Sequence, residues 1–256
     1  MAVCSASPKH WRTELVDWPT LEHAYGRADD IPELLAQLSP DPHAPVWHAL
    51  WSRLYHQYTV YSASYAALPY LADAAAAWAP AARATPLILA GAIVGARGGE
   101  TDPATVERLL SLALETLAAP VPGRPEFIYM LQTALAFQGD TLWGNDGLSG
   151  LVDGEVQGLC PACGQFMLFA VDDDRLTVTP GDCAPGPNVK QVPVEPAPLE
   201  DMEGAGRWMH ETATQGGQPE LARWIQHLFG TSKCSGCGQE FALPEAVARL
   251  RTGPGW

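Results

Sequence analysis

Apolar positions recur every three or four residues through most of the chain's first 140 positions. Val106, Leu109, Leu110, Ala113, Leu114 and Leu117 fall at i, i+3, i+4, i+7, i+8 and i+11, one face of an α-helix. Asp102 and Pro103 just ahead of them supply an N-cap and a first-turn proline. Phe127, Met130, Leu131, Ala134 and Leu135 repeat the spacing, and Gly139 ends it. Trp47, Leu50, Trp51 and Leu54 do the same within 44–57. Asp30 and Glu33 stand three apart around Ile31 and Pro32, a capping-box arrangement that opens a helix running through Leu38. The Ala-rich stretch 60–78 reads as one long helix, in which Pro69 removes a backbone donor and predicts a kink. No period-two alternation interrupts 20–140. Short connections between helices of about two to five turns predict antiparallel neighbours. Stacked helical hairpins of this kind form either an open array with a concave and a convex face or a closed bundle, and the periodicity allows both.

Beyond position 145 the pattern changes. Phe166 to Val171 reads as a strand, Asp172, Asp173 and Asp174 as its turn, and 176–179 as the return strand. A proline-rich stretch as far as Glu200 reads as loop. Residues 207–215 and 221–229 then read as two helices, the second with Leu221, Trp224, Ile225, Leu228 and Phe229 on one face, and together they predict a further helical hairpin.

Charge reinforces the boundary. The 256 residues carry a formal net charge of −14, with 47% hydrophobic residues, enough for a substantial core. Between Asp140 and Glu203 lie 12 acidic residues against two basic ones, Arg175 and Lys190, so this window holds −10 of the total. It is also rich in proline, with Pro180, Pro185, Pro187, Pro193, Pro196 and Pro198. The reading is therefore of two regions: a helical array over 1–145, and over 146–256 a module with its own chemistry. Acidity of this kind disfavours phosphate backbones and anionic lipid, and favours a basic partner. The first twenty residues include Lys9, His10, Arg12, Glu14 and Asp17 and lack the apolar core of a signal peptide. The longest apolar run, 87–96, is roughly half of what a bilayer requires. A cytoplasmic protein with no membrane partner is expected.

In that compartment the six cysteines point to metal before disulfides. Cys160 and Cys163 form one C-x-x-C pair, and Cys234 and Cys237 form another. Each pair is followed at once by Gly and then by Gln, at Gln165 and Gln239. A C-x-x-C turn aims two thiolates at one point, and two such turns supply the four sulfurs of a tetrahedral zinc site. The matched pattern resembles the two halves of a zinc ribbon, split by a long insertion. Four thiolates leave no open coordination position, so the expected Zn2+, one per chain, is structural and activates no water. Cys4 and Cys183 fall outside the pattern.

Catalytic signatures are missing. None of the seven histidines forms H-E-x-x-H, and neither a nucleophile elbow nor a phosphate-binding loop occurs. No catalytic residue is assigned, and the chain is expected not to be an enzyme. Two weaker features remain. His56, Gln57, Tyr58 and Tyr61 cluster at an expected helix–helix turn, as a polar contact patch or as a hydrogen-bonded corner. Asp172, Asp173 and Asp174 offer carboxylates to a cation or form a solvated hairpin tip.

The segments 21–35 (LEHAYGRADDIPELL), 55–61 (YHQYTVY) and 66–71 (AALPYL) resemble a bacterial family of HEAT-like repeat proteins. That family shares a HAYG-x-A-x-D-x-P-x-L-L opening and an HQG-T-V-Y segment leading into an A-x-P-x-L helix; here Tyr58 stands where it usually has Gly. The resemblance implies a mostly α fold, an α-solenoid that binds other proteins, with the small β zinc ribbon near the C-terminus. The expected function is a non-catalytic protein-binding scaffold, by analogy an immunity-type protein that blocks a toxin with a basic surface. The alternatives are a nucleic-acid-associated zinc-ribbon protein, which the scarcity of bases near Lys233, Arg249 and Arg251 opposes, and an enzyme with an unrecognised site.

Overall fold

The computed structural model describes residues 16–96, 98–120, 123–145, 147–172, 175–181 and 189–252. Helix dominates, with small antiparallel sheets. The first elements are β1 (Glu22–His23), β2 (Gly26–Arg27), α1 (Ile31–Ala36), α2 (Pro45–Leu54), β3 (Tyr55–His56) and β4 (Thr59–Val60). Two miniature hairpins, β1–β2 and β3–β4, thus interrupt a region expected to contain helices alone. Strands of two residues are too short to show alternation, and this is why the periodicity did not reveal them.

Helix α1 also begins differently from the capping-box expectation. Asp30 sits at the N-cap but makes no side-chain cap. Its carboxylate instead accepts from Arg53 Nε at 2.7 Å and meets His23 Nε2 at 3.1 Å. A charge-assisted bond to a guanidinium outcompetes a bond to a backbone N–H.

Helices α3 (Ser62–Ala77), α4 (Ala84–Gly95), α5 (Pro103–Ala118) and α6 (Arg124–Phe137) follow. Helix α3 continues through Pro69 as one element. Its entry is fixed by Ser64, whose Oγ accepts from the Tyr61 N–H at 2.9 Å and donates to the Leu54 carbonyl at 2.6 Å. Helix α3 lies against α4 and α5, α4 against α6, and α5 against α6. Helix α4 is apolar on nearly every side because it is packed on several sides. Its glycines admit close neighbours: a Cβ at Gly91 would lie 2.9 Å from the Thr133 side chain of α6, and one at Gly95 would lie 2.7 Å from the Gly144 carbonyl beyond α6.

The expected signals at the ends of α5 and α6 are present. Asp102 accepts from the Thr105 N–H at 3.0 Å. Gly139 at φ 80° closes α6, with Asp140 N–H bonded to Leu135 O and Gly139 N–H to Ala136 O. The inner face of α5 is rotated from the expected stripe: Leu114 is exposed, whereas Leu112 and Thr116 are buried. Thr116 is tolerated there because its hydroxyl donates to the Leu112 carbonyl.

The remaining elements are β5 (Glu155–Leu159), β6 (Phe166–Asp172), β7 (Arg175–Pro180), β8 (Val192–Pro193), α7 (Gly204–Gln215), α8 (Pro219–Leu228), β9 (Thr231–Lys233), β10 (Glu240–Ala242) and α9 (Leu243–Thr252). Strands β5 to β8 form a four-stranded antiparallel sheet in chain order, and β9 pairs with β10. The stretch expected to be loop up to Glu200 is extended over 192–197. It pairs with β7 as β8, forms a bridge from Glu195 to Thr231 at the start of β9, and reaches α8 through Ala197 N–H to Gln226 O. Proline is compatible with an edge strand, and that is how this proline-rich segment pairs. Helix α9 covers β5, where Gly158 admits Ala246 and Phe169.

Helices α7 and α8 form the expected hairpin and meet the start of α6. Phe127 occupies the space a side chain at Gly216 would need. The Arg124 guanidinium lies 4.3 Å from the Trp224 ring centroid and bonds Glu220 at 2.7 Å. Trp143 and Phe229 meet at 5.2 Å. The buried side chains of both regions make one continuous cluster from Trp18 to Val247. No helix among the described residues is long and apolar enough to cross a membrane.

Candidate metal centre

The two C-x-x-C segments occupy equivalent hairpin tips, Cys160 to Cys163 between β5 and β6, and Cys234 to Cys237 between β9 and β10. Their backbones match bond for bond. Cys160 N–H donates to Gln165 O and Gly164 N–H to Cys160 O, each at 2.9 Å; Cys234 N–H donates to Gln239 O and Gly238 N–H to Cys234 O, also at 2.9 Å. Gly164 and Gly238 have φ of 74° and 75°, a left-handed conformation that explains the glycine after each pair.

The four sulfurs converge. Cys160 and Cys237 Sγ lie 3.8 Å apart, as do Cys163 and Cys234 Sγ, and all four lie within 4.8 Å of one another. A disulfide needs about 2.05 Å, so the four are free thiols able to hold a metal ion together. One cysteine of each pair is buried (Cys160, Cys234) and the other exposed (Cys163, Cys237). Burial pushes the Cys160 thiol up, but backbone N–H groups of Cys163 and Ala162 and the neighbouring thiols outweigh it and bring Cys160 down to about 7. Cys163 keeps a backbone bond from Gln165 that favours its thiolate, yet the neighbouring thiols of Cys160, Cys237 and Cys234 push it up to about 12. One thiolate thus forms readily, and further ionisation in so tight a cluster calls for a cation.

Sequence symmetry hides a structural asymmetry. Gln165 reaches across to the second knuckle, its side-chain amide 3.6 Å from Cys234 Sγ, in space left open by Gly236. Its counterpart Gln239 is exposed and bonds locally to Glu240 O. Lys190, from the acidic segment, donates to Ser235 O at 2.8 Å. The repeated C-x-x-C-G-Q pattern is a visible signal for Gln165, but nothing in the sequence marks Lys190.

The weaker site residues separate. Asp172 ends β6 opposite Arg175. Asp173 and Asp174, like Cys4 and Cys183, lie outside the described residues. His56, Gln57, Tyr58 and Tyr61 do not sit at a helix–helix turn: His56 belongs to β3, Gln57 and Tyr58 form the β3–β4 turn, and Tyr61 leads into α3. The turn is left-handed at both central residues, with φ 48° and 63°. This is the twist-matched geometry of a two-residue hairpin loop, formed here without glycine. His56 turns towards Tyr25 of the neighbouring hairpin, with ring centroids 5.5 Å apart. Gln57 and Tyr58 instead border a cavity of about 510 Å³. Comparison of the chain with protein-family models, with curated proteins and with solved structures yields no match.

Proposed function

We propose that this chain is a non-catalytic protein-binding scaffold, a HEAT-like helical array closed at its C-terminal end by a split ribbon around one structural zinc ion. The observation that carries the zinc reading is the sulfur geometry. Four sulfurs about 2.3 Å from one ion stand about 3.8 Å apart along tetrahedral edges, which is the cross-knuckle separation of both pairs. Four soft thiolates on two matched knuckles suit zinc and leave it no position for water.

The partner reading rests on charge. Asp153, Glu155, Glu195, Glu200, Asp201 and Glu203 are all exposed, and none makes an ion pair with another described residue. Such a surface steers towards a basic protein, as an immunity-type protein would towards a toxin's basic cleft. Two experiments test the proposal. Metal analysis of the purified chain should give one zinc per chain, with Cys234→Ser losing the metal and the cooperative folding of the C-terminal region. A protein without metal, or a variant with an unchanged melting curve, removes the zinc reading. A pull-down from the native host should capture a basic protein at low salt and release it at high salt; salt-insensitive capture of an acidic protein removes the partner reading.

A further inference from the structure

The cavity bordered by the β3–β4 turn has features that neither the metal centre nor the acidic surface accounts for. Its walls come from five parts of the chain: Trp51 of α2, Tyr55 and the turn residues Gln57 and Tyr58, Ala92 of α4, Tyr129 and Gln132 of α6, and Ser149 beyond α6. Its volume of about 510 Å³ falls within the range of small-molecule sites. In a chain of net charge −14, no acidic or basic side chain is among its described lining residues.

We propose that this cavity binds an uncharged, flat heteroaromatic molecule, its ring against the aromatic walls and its polar edge on the two glutamine amides. The absence of a lining charge selects against ions, because an ion leaving water needs a counter-charge. The aromatic walls select for a flat ring. Trp51 meets Tyr55 at 5.7 Å and 83°, and Tyr55 meets Tyr58 at 6.2 Å and 77°, an edge-to-face series that an inserted ring extends. The amides supply the orienting groups. Gln132 Oε1 accepts from the Leu148 N–H at 3.1 Å, which fixes the amide and leaves its NH2 end as donor. Gln57 is exposed and bonds no other described side chain, so both ends of its amide are available at the rim. Gln57 and Tyr58 are the only non-glycine residues at positive φ among those described. Positive φ at both positions is what a two-residue hairpin loop requires, and the turn presents both side chains to the cavity. No cysteine is among the described lining residues, so the proposal stands or falls apart from the metal site.

Titration calorimetry on the full chain with adenine, indole and nicotinamide tests the proposal, with indole-3-acetate and nicotinate as charged counterparts and maltose as a non-aromatic ring. At least one neutral ring should bind with a Kd below about 1 mM, its charged counterpart about tenfold more weakly, and maltose not at all. Tyr58→Gly removes one wall while relieving its backbone, and should weaken binding about tenfold without lowering the melting temperature. Ala92→Phe fills the cavity from α4 and should abolish binding. No heat with any neutral ring at about 5 mM, equal binding of charged counterparts or maltose, or binding undiminished in both variants overturns the proposal.

Discussion

Tyr58 carries a side chain where the backbone favours none. Its φ of 63° costs a residue with a Cβ about 1 kcal/mol more than glycine. Both Tyr58→Gly and Tyr58→Ala lose the ring, so comparing them isolates the backbone contribution: the Gly variant should be more stable by about 1 kcal/mol in denaturant unfolding. Asp30 shows a different competition, in which burial raises its carboxyl but Arg53 and His23 outweigh burial and hold it below the usual carboxylate range. The sign follows from the direction of that shift. A group ionising more readily when folded contributes stability above its unfolded pKa, and loses that contribution as the pH falls through the folded one. The stability gap between wild type and Asp30→Asn should therefore be constant near neutrality and shrink below about pH 4. The carboxylate is partly exposed, so the gap is small. At the knuckles, Gly236→Ala places a Cβ on the Gln165 amide. That amide sits at the end of a flexible side chain and swings away cheaply, taking Oε1 from the Cys234 thiol that donates to it. The fold should persist, and because a metal-bound Cys234 thiolate has no proton left for the Gln165 oxygen, the rate at which a chelator strips the metal should stay within about twofold of wild type.

Helices show most clearly where the element is long and one face is buried. The spacing of Phe127, Met130, Leu131, Ala134 and Leu135 marks α6, and all five are buried. Asp102 is equally readable, and Asp102→Ala should cost about 1 kcal/mol in thermal unfolding. The candidate ligands are readable for a local reason, since each cysteine pair and its glycine encode one turn. What the residue pattern does not carry is the long-range pairing that brings Cys163 and Cys234, 71 positions apart, to 3.8 Å. That depends on the 192–197 segment, whose prolines and acids resemble a loop and conceal an edge strand joining β7 to β9. Its closest backbone approach is Gly230 against the Glu195 carbonyl, leaving no room for a Cβ. Backbone cannot swing aside as the Gln165 amide can, so Gly230→Ala should destabilise the chain by about 3 kcal/mol and lower its metal affinity together. In helix α9, Leu243, Ala246 and Val247 follow the helical spacing, but the element starts directly after β10, with no loop to mark its beginning.

Across the whole molecule, the continuity of the core sets how far a metal held by the four cysteines would act. The acidic charge belongs to the C-terminal region, yet that region is joined to the helices by Phe127 against Gly216, Trp143 against Phe229, and Arg124 over Trp224. An ion that binds only the folded knuckles stabilises by an amount that grows with the logarithm of its free concentration. If the region bearing the two knuckles were a detached unit, chelation would split the melt into two steps and leave the helical step in place. With one continuous core, loss of the metal should instead lower a single transition seen alike by far-ultraviolet circular dichroism and by tryptophan fluorescence. Phe127→Ala separates the two cases from the other side. It removes a fully buried ring from α6, costs about 3–5 kcal/mol, and should also raise the rate of metal loss, although Phe127 belongs to neither knuckle. A Phe127→Ala protein that unfolds earlier but keeps its metal as long as wild type would show the two regions to be energetically independent.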